Sequence, residues 1–314
     1  MPDALPPDEA RLVSVIGAQL AAAGRPADLT DDCAALSVPT ALVTTDTLIE
    51  GVHFDLRYDT PEQVGAQAAV QNLSDLAASG GAAGWLVWCL CLGPAQRTET
   101  FVAALARGFA ETAARFDARI VGGNLSRTPG PLTVAVTAGG PLVGARALTR
   151  SGARAGETVY VTGGLGDAAL GVDSPRYRAD RHAWRPHLAE ARLIARSGLA
   201  TACIDISDGL LLDAARLALA SGVTLALRSN AVPLAPACAA LADASAARRH
   251  ALTGGEDYVL LFTAPSAPPG LSCQAIGTVL DRRASGPLLL DDRPASAQGW
   301  DHFRGAESSA SARS

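Results

Sequence analysis

Apolar residues at Leu12, Val13, Ile16 and Leu20 fall on one helical face and predict a first helix that ends near Gly24. The β-branched run at 41–46 predicts a strand finishing on the carboxylate of Asp46. Thr60, Pro61 and Gln63 then form a helix opening: Thr60 caps, Pro61 takes the first helical position, and Gln63 completes a capping box. That helix should run through Val64, Ala68 and Asn72 towards Leu76. The apolar run at 85–92 predicts a buried strand, followed by a helix over 98–116 and short strands at 119–121 and 132–137. Glycines, Pro141 and three arginines within 141–156 mark a domain boundary. Beyond it the pattern predicts a strand at 158–162, a tight turn at 163–166 and a helix at 207–221 closed by Gly222. The Ser/Ala-rich tail from Arg304 is expected to fray. Strands and helices alternate throughout, so the expected class is α/β in two domains, residues 1–140 and 141–314.

A length of 314 residues accords with two domains. The chain contains no lysine, so its 26 basic residues are all arginines. A Walker-A P-loop, a kinase-type β3 lysine and a Schiff-base lysine are thereby excluded, since each requires an ammonium group. A net charge of −5 argues against a nucleic-acid partner, whose phosphates call for cationic surface. Six cysteines without a C-x-x-C pair read as reduced core thiols. Prolines and acidic residues near the N-terminus are unlike a signal peptide, and the apolar run at 85–92 is far shorter than the roughly 20 residues that span a bilayer. The expectation is a cytoplasmic protein with no membrane partner.

Carboxylates stand at the ends of expected elements, within apolar or glycine-rich sequence: Asp31 and Asp32, Asp46 after Thr44 and Thr45, Asp75 after Ser74, Asp205 and Asp208 around Ser207, and Glu256 and Asp257 after two glycines. Acids beside core segments need partners, which here are arginines, helix N-termini or divalent cations. Hard cations take oxygen ligands, commonly one or two carboxylates with substrate phosphates, so the pattern points to a Mg2+ and polyphosphate site. Simpler readings stand beside this one. Asp31 and Asp32 also suit a solvated turn, Ser74 and Ser207 suit helix caps, and His53 suits a structural role. His182 and His187 read as surface residues. The glycines at 122–123 and 163–166 suit either ordinary turns or phosphate cradles.

Six blocks in order resemble the thiamine-monophosphate kinase family, within the superfamily of aminoimidazole ribonucleotide synthetase: TTDTLIEGVHF at 44–54, NLSDLAA at 72–78, RALTRSGA at 146–153, DISDGL at 205–210, GGEDY at 254–258 and GWDHF at 299–303. The resemblance runs from about residue 29 to 303. It implies ATP-dependent phosphorylation of thiamine monophosphate to thiamine diphosphate, on a two-domain fold with mixed sheets flanked by helices. It further implies a homodimer formed by the N-terminal domain, which binds metal and ATP. Carried over by position, Asp31, Thr44, Thr45, Asp46, Asp75, Asp205 and Asp208 resemble Mg2+ ligands. Gly123, Arg150 and Ser207 match ATP-contacting positions, and His53, Glu256 and Trp300 match the thiamine phosphate side. Asp46, Asp75 and Arg150 are the expected catalytic groups. Asn124 stands where the family commonly has Asp, offering the metal or nucleotide a neutral oxygen, and Gln67 replaces a frequent lysine. The rival readings are another ATP-dependent synthetase of the superfamily and a non-catalytic metal- or nucleotide-binding module.

Overall fold

The computed structural model describes residues 34–36 and 41–303. Strands β1 (Ala34–Leu36), β2 (Ala41–Ile49), β3 (Trp85–Leu92), β4 (Arg119–Arg127) and β5 (Thr133–Pro141) form a five-stranded sheet in the order β1-β2-β5-β3-β4. Only the β3/β4 pair is parallel. Side chains alternate between faces along a strand, and one face of this sheet carries Leu42, Leu48, Leu86, Leu90, Val134 and Val136. These pack against Val64, Ala68, Leu73 and Leu76 of helix α1 (Pro61–Ala78) and Leu105 and Phe109 of helix α2 (Glu99–Arg115).

The second sheet has seven strands: β6 (Thr158–Val161), β7 (Ala202–Asp205), β8 (Val223–Leu227), β9 (Leu260–Ala264), β10 (Gln274–Asp281), β11 (Leu288–Leu290) and β12 (Arg293–Pro294), ordered β12-β11-β8-β10-β6-β9-β7. The helices of this half are α3 (Asp167–Asp173), α4 (Leu188–Ser197), α5 (Leu210–Ser221) and α6 (Ala244–Thr253), with two shorter ones at Arg178–Arg181 and Pro236–Ala239. Residues of α5 and α6 build the core on one face, with Val159, Ile204, Leu225, Leu261 and Ile276 from the strands. On the other face Cys203, Leu260 and Phe262 meet Ala191 and Ile194 of α4, and Ala77 and Ala78 of α1. Helix α1 therefore buries apolar surface against both sheets.

The capping box at Thr60 forms as the sequence predicts, with the Gln63 N–H reaching the Thr60 hydroxyl and the Thr60 N–H reaching the Gln63 side-chain carbonyl. Gly222 closes α5 in the left-handed conformation, also as predicted. Several expectations change. Strand β2 continues three residues beyond Asp46, and β4 runs through Gly122, Gly123 and Asn124, which are strand rather than turn. Strand pairing with β5 and β3 satisfies the backbone at both places, so the local glycine signal loses to the ladder. Helix α5 begins at Leu210, three residues later than expected, because Asp213 accepts the N–H groups of Asp208 and Gly209. Ser74 lies inside α1, not at a cap. His182 and His187 have side chains only 9% and 6% exposed, and each is held by polar partners instead of facing water. Among the described cysteines none is paired; Cys203 and Cys238 are buried and Cys89, Cys91 and Cys273 are half-buried. The first expected helix, Asp31, Asp32, Cys33 and the tail from Arg304 lie outside the described residues.

Helices α1 and α2 cross at glycines. A methyl group on Gly108 would drive into the Glu62 carbonyl, and one on Gly65 into the Leu105 carbonyl. In an isolated helix Gly→Ala stabilises by about 1 kcal/mol. At this crossing Gly108→Ala is expected to destabilise by about 1–3 kcal/mol in urea unfolding, because backbone must be displaced. A neutral or stabilised variant would contradict the close crossing.

Candidate active site

Gln63, Gln67, Gln71 and Asp75 recur every fourth residue of α1, with Ser74 alongside, in a helix otherwise rich in Ala, Val and Leu. Residues at this spacing share one helical face, and here they form a polar stripe beside the apolar one. Between them the members of the stripe reach β2, the end of β7 and the segment that carries Glu256. The Asp75 carboxylate accepts the Thr44 hydroxyl of β2 at 2.6 Å. The Ser74 hydroxyl donates to the Asp205 carboxylate, at the end of β7, at 2.6 Å. The Gln71 amide donates to Asp46, which also accepts the Thr47 N–H at 2.6 Å. Gln67 donates to Glu256 at 2.7 Å. One helix thus gathers Asp46, Asp75 and Asp205 from separate parts of the chain onto its own edge.

Strand parity decides which β2 side chains join them. Thr44 and Asp46 point to the face that carries Leu42 and Leu48, whereas Thr45 is exposed on the opposite face, bonded to the Val136 carbonyl and Thr137. Thr45 therefore has only its main chain to offer the site. Gly123 shares the row of Asp46 through Val136 and Trp88, but three strand spacings of roughly 4.8 Å put it about 14 Å away. Asn124 is one residue further on, with its amide against Cys89 on the opposite face. The structure does not bring Asn124 to the carboxylates of its own chain. The glycines at 163–166 are likewise no open cradle, since the Gly166 N–H is taken by the Asp257 carboxylate at 3.0 Å.

The cluster is electrostatically strained. Burial pushes the Asp46 carboxyl up to about 6, with the Asp208 charge adding to the shift against the bonds from Thr47 and Gln71. Burial and the same Asp208 charge raise Asp213 to about 7, offset by Arg216 and Arg150. Arg216 pairs with both Asp208 and Asp213, and Arg150 lies close enough for its charge to act on Asp213. Among the described residues, no three His, Cys, Asp or Glu side chains are already drawn together at metal-holding distance. The oxygen donors Asp46, Asp75, Asp205 and Asp208 instead form an open set, which suits a hard cation that completes its shell with ligand oxygens.

Glu256 follows two glycines in a segment stitched to 206–208: its N–H donates to the Ser207 carbonyl at 2.8 Å, and that of Tyr258 to the Ile206 carbonyl at 2.9 Å. Glu256 and Tyr258 both adopt left-handed backbone, at φ 65° and 54°, a strain of about 1–3 kcal/mol each that persists only where surroundings fix it. Arg181 donates to Glu256 at 3.1 Å, to both oxygens of Asp59 at 3.1 Å and to the His53 carbonyl at 2.8 Å. His53 accepts the Ile49 N–H on Nδ1, and burial, with the nearby His302 charge, lowers it to about 4, so it is neutral at pH 7. Its ring lies 5.0 Å from that of His302. Trp300, 44% exposed, is tethered by its N–H to the Asp208 carbonyl at 2.8 Å and stands edge-on to His302. Arg181 thus ties His53 to Glu256, and His302 lies between the rings of His53 and Trp300, beside the carboxylates.

Sequence reasoning missed Gln71, Asp59 and Arg181. A signal existed for Gln71, in the fourth-residue recurrence of polar side chains along α1. Arg181 and Asp59 are 122 positions apart and carry no local signature.

Residues 30–142 match the family described as AIR synthase related protein, N-terminal domain. The thiamine-monophosphate kinase of Salmonella typhimurium is 36% identical over 262 residues, covering 79% of each chain. The crystal structure of thiamine monophosphate kinase from Aquifex aeolicus aligns with a TM-score of 0.80 at 32% identity, over 92% of this chain and 97% of that one. A ThiL structure complexed with AMPPCP and TMP aligns with a TM-score of 0.84 at 32% identity, over 94% of this chain and 97% of that one. The two-sheet architecture is accordingly the aminoimidazole ribonucleotide synthetase-like fold. By this shared sequence and fold over most of its length, the chain belongs to the thiamine-monophosphate kinase family.

Proposed function

We propose that the protein transfers the γ-phosphoryl group of ATP directly to the phosphate of thiamine monophosphate, giving thiamine diphosphate and ADP. The observation that carries this reading is the gathering of Asp46, Asp75 and Asp205 along the polar edge of α1, with Gln67 of the same edge bonded to Glu256. Relatives named for this activity, and a related structure complexed with AMPPCP and TMP, support it.

The acceptor is a phosphate oxygen, already ionised at neutral pH, so the residues need not remove a proton. Their task is to position two anionic ligands in line and offset their repulsion. Asp46, Asp75, Asp205 and Asp208 would hold Mg2+, together with Asp31, which lies outside the described residues. The chemistry supplied by a cation held by these carboxylates would be neutralisation of phosphate charge. Arg150 would place a fixed cation against the phosphates, near the Asp208 end of the cluster, and Ser207 would contact ATP. His53, held neutral by burial and fixed through Ile49 and Arg181, acts as a positioning group rather than a base. Trp300 offers its exposed ring to the thiamine side.

The reading includes a cytoplasmic homodimer. No helix among the described residues is long and apolar enough to cross a membrane. The outward face of the first sheet exposes Thr45, and the edge strand β4 is exposed along its length, Ile120, Val121 and Leu125 included. A second copy seated there would cover apolar surface and an open strand edge together. Gly123 and Asn124 belong to this exposed strand, so any contact they make with nucleotide or metal is at that edge.

ADP formation from ATP and Mg2+ should depend on added thiamine monophosphate, and Asp46→Asn should lower it by on the order of a hundredfold or more. The melting temperature should be kept or raised, because the substitution removes a carboxylate that burial penalises. Turnover without thiamine monophosphate, or an active Asp46→Asn enzyme, would contradict the assignment.

A carboxyl raised from 3.8 to about 6 holds its proton more tightly folded than unfolded, so cation-free stability declines as pH rises between those values. Protons and Mg2+ then compete for Asp46. The rise in melting temperature on adding Mg2+ should be full well above pH 6 and should fade as pH falls through about 6. An unchanged Mg2+ effect across that interval would show that Asp46 does not meet the ion.

A further inference from the structure

The turn from the end of β7 to the start of α5, residues 205–209, carries Asp205, Ser207 and Asp208, and its main chain is bonded on both sides. On one side three successive carbonyls accept N–H groups from elsewhere: Ile206 from Tyr258 at 2.9 Å, Ser207 from Glu256 at 2.8 Å and Asp208 from Trp300 at 2.8 Å. The segments that bring Glu256 and Trp300 therefore hang on the same short turn as two of the carboxylates. A shift of this turn displaces both sets of side chains together.

Asp213 holds the other side. Its Oδ2 accepts the N–H of Asp208 at 3.0 Å and that of Gly209 at 3.1 Å, and its Oδ1 accepts Nη1 of Arg216 at 2.8 Å. The same Nη1 donates to the Asp208 carboxylate, so Asp213 secures the main chain of Asp208 directly and its side chain through Arg216. Free N–H groups at a helix start are commonly satisfied by a side chain, and a surface Ser or Thr does this without burying an acid. The Asp213 side chain is 1% exposed and stands beside a second acid, an arrangement with a desolvation cost that a simple cap avoids. What it adds over such a cap is the combined hold on Asp208. Accepting two N–H groups needs only the lone pairs of one oxygen, not a net charge, so the amide oxygen of an asparagine can do the same.

We propose that Asp213 is a positioning residue for both ligands at once: by fixing the 205–209 turn it sets the Asp208 carboxylate for the cation and nucleotide, and the row of carbonyls that seats Glu256 and Trp300 for the phosphate acceptor. Nucleotide binding and acceptor binding thereby share one support. This rests on the functional reading above, and it goes beyond that reading by giving a role to a buried residue that meets neither ligand.

The test measures urea unfolding, the Kd of a non-hydrolysable ATP analogue with Mg2+, and KM for thiamine monophosphate, in the wild type, Asp213→Ala, Asp213→Asn and Leu217→Val. Groups that orient a metal-binding side chain commonly govern about 10–100-fold in affinity or activity. Asp213→Ala should accordingly raise both Kd and KM by about tenfold or more, and Asp213→Asn should stay within about threefold of the wild type in each. Leu217 lies in the apolar core one turn beyond Asp213 on α5. Leu217→Val should lower the urea midpoint yet leave both constants unchanged, which separates positioning from stability. Should Asp213→Ala not fold, Gly299→Ala probes the same turn from the protein surface, since a methyl group there would meet the Asp208 carbonyl oxygen at 2.5 Å. It should raise both constants by about threefold or more. Either constant unchanged in folded Asp213→Ala, or in Gly299→Ala where the former does not fold, would overturn the proposal. So would an Asp213→Asn as impaired as Asp213→Ala, or equal rises in Leu217→Val. A wild type active with thiamine monophosphate, beside an unaltered Asp213→Ala, defeats only this inference. A wild type that binds the ATP analogue yet is inactive with thiamine monophosphate defeats the functional reading beneath it.

Discussion

The polar edge of α1 is the constraint on which the site depends. The helix is held in place by apolar contacts on both sheets, through Leu73 and Leu76 to the first and Ala77 and Ala78 to the second. Its side chains at 71, 74 and 75 then reach Asp46, Asp205 and Thr44. A buried hydrogen bond to a charged group contributes about 1.5–3 kcal/mol, and leaving its carboxylate unpartnered costs at least as much. Docking of the helix and assembly of the acids are therefore one event: a shift of α1 large enough to loosen the core also separates Asp75 from Thr44 and Ser74 from Asp205. The glycine crossing with α2 removes the side chains that would otherwise hold α1 off its seat.

Two ionic systems meet along this edge and divide the work. Near the C-terminal end of the helix, carboxylates crowd one another, and burial and repulsion hold Asp46 well above the ordinary range. Such an arrangement is poor for a bare protein and suitable for one that binds a cation and phosphates. Towards the N-terminal end, Gln63 and Gln67 lead into the Arg181 cluster, where hydrogen bonds fix the geometry. In a chain without lysine, guanidinium groups perform this pairing, and their planar fork lets Arg181 hold two acids and a carbonyl in a single orientation.

Much of the fold was legible because its signals are local. The capping box at Thr60, the glycine stop at Gly222 and the apolar run of β3 each depend on a few adjacent residues. The carboxylates were legible as acids embedded in apolar sequence. What escaped was decided by register and by distant contacts. Whether Thr44 or Thr45 faces the site depends on the parity of β2 against its sheet, and a threonine pair looks the same either way. Asn124 seemed a neighbour of the acids, but three strands intervene. His182 read as a surface residue amid arginines, although Asp59 and Gln63, both more than a hundred positions earlier, bury it. Gln63 and Gln67 were each explicable singly, as cap and as replacement for a lysine; the face they share with Gln71 gives the three a joint meaning.

Diffraction from crystals grown with Mn2+, a non-hydrolysable ATP analogue and thiamine monophosphate, recorded where manganese scatters anomalously, tests the central claim most directly. An anomalous peak bounded by Asp46, Asp75 and Asp205, with α1 in the position described, is the predicted result. Manganese bound only elsewhere, with those three carboxylates bare beside occupied ligands, would contradict it.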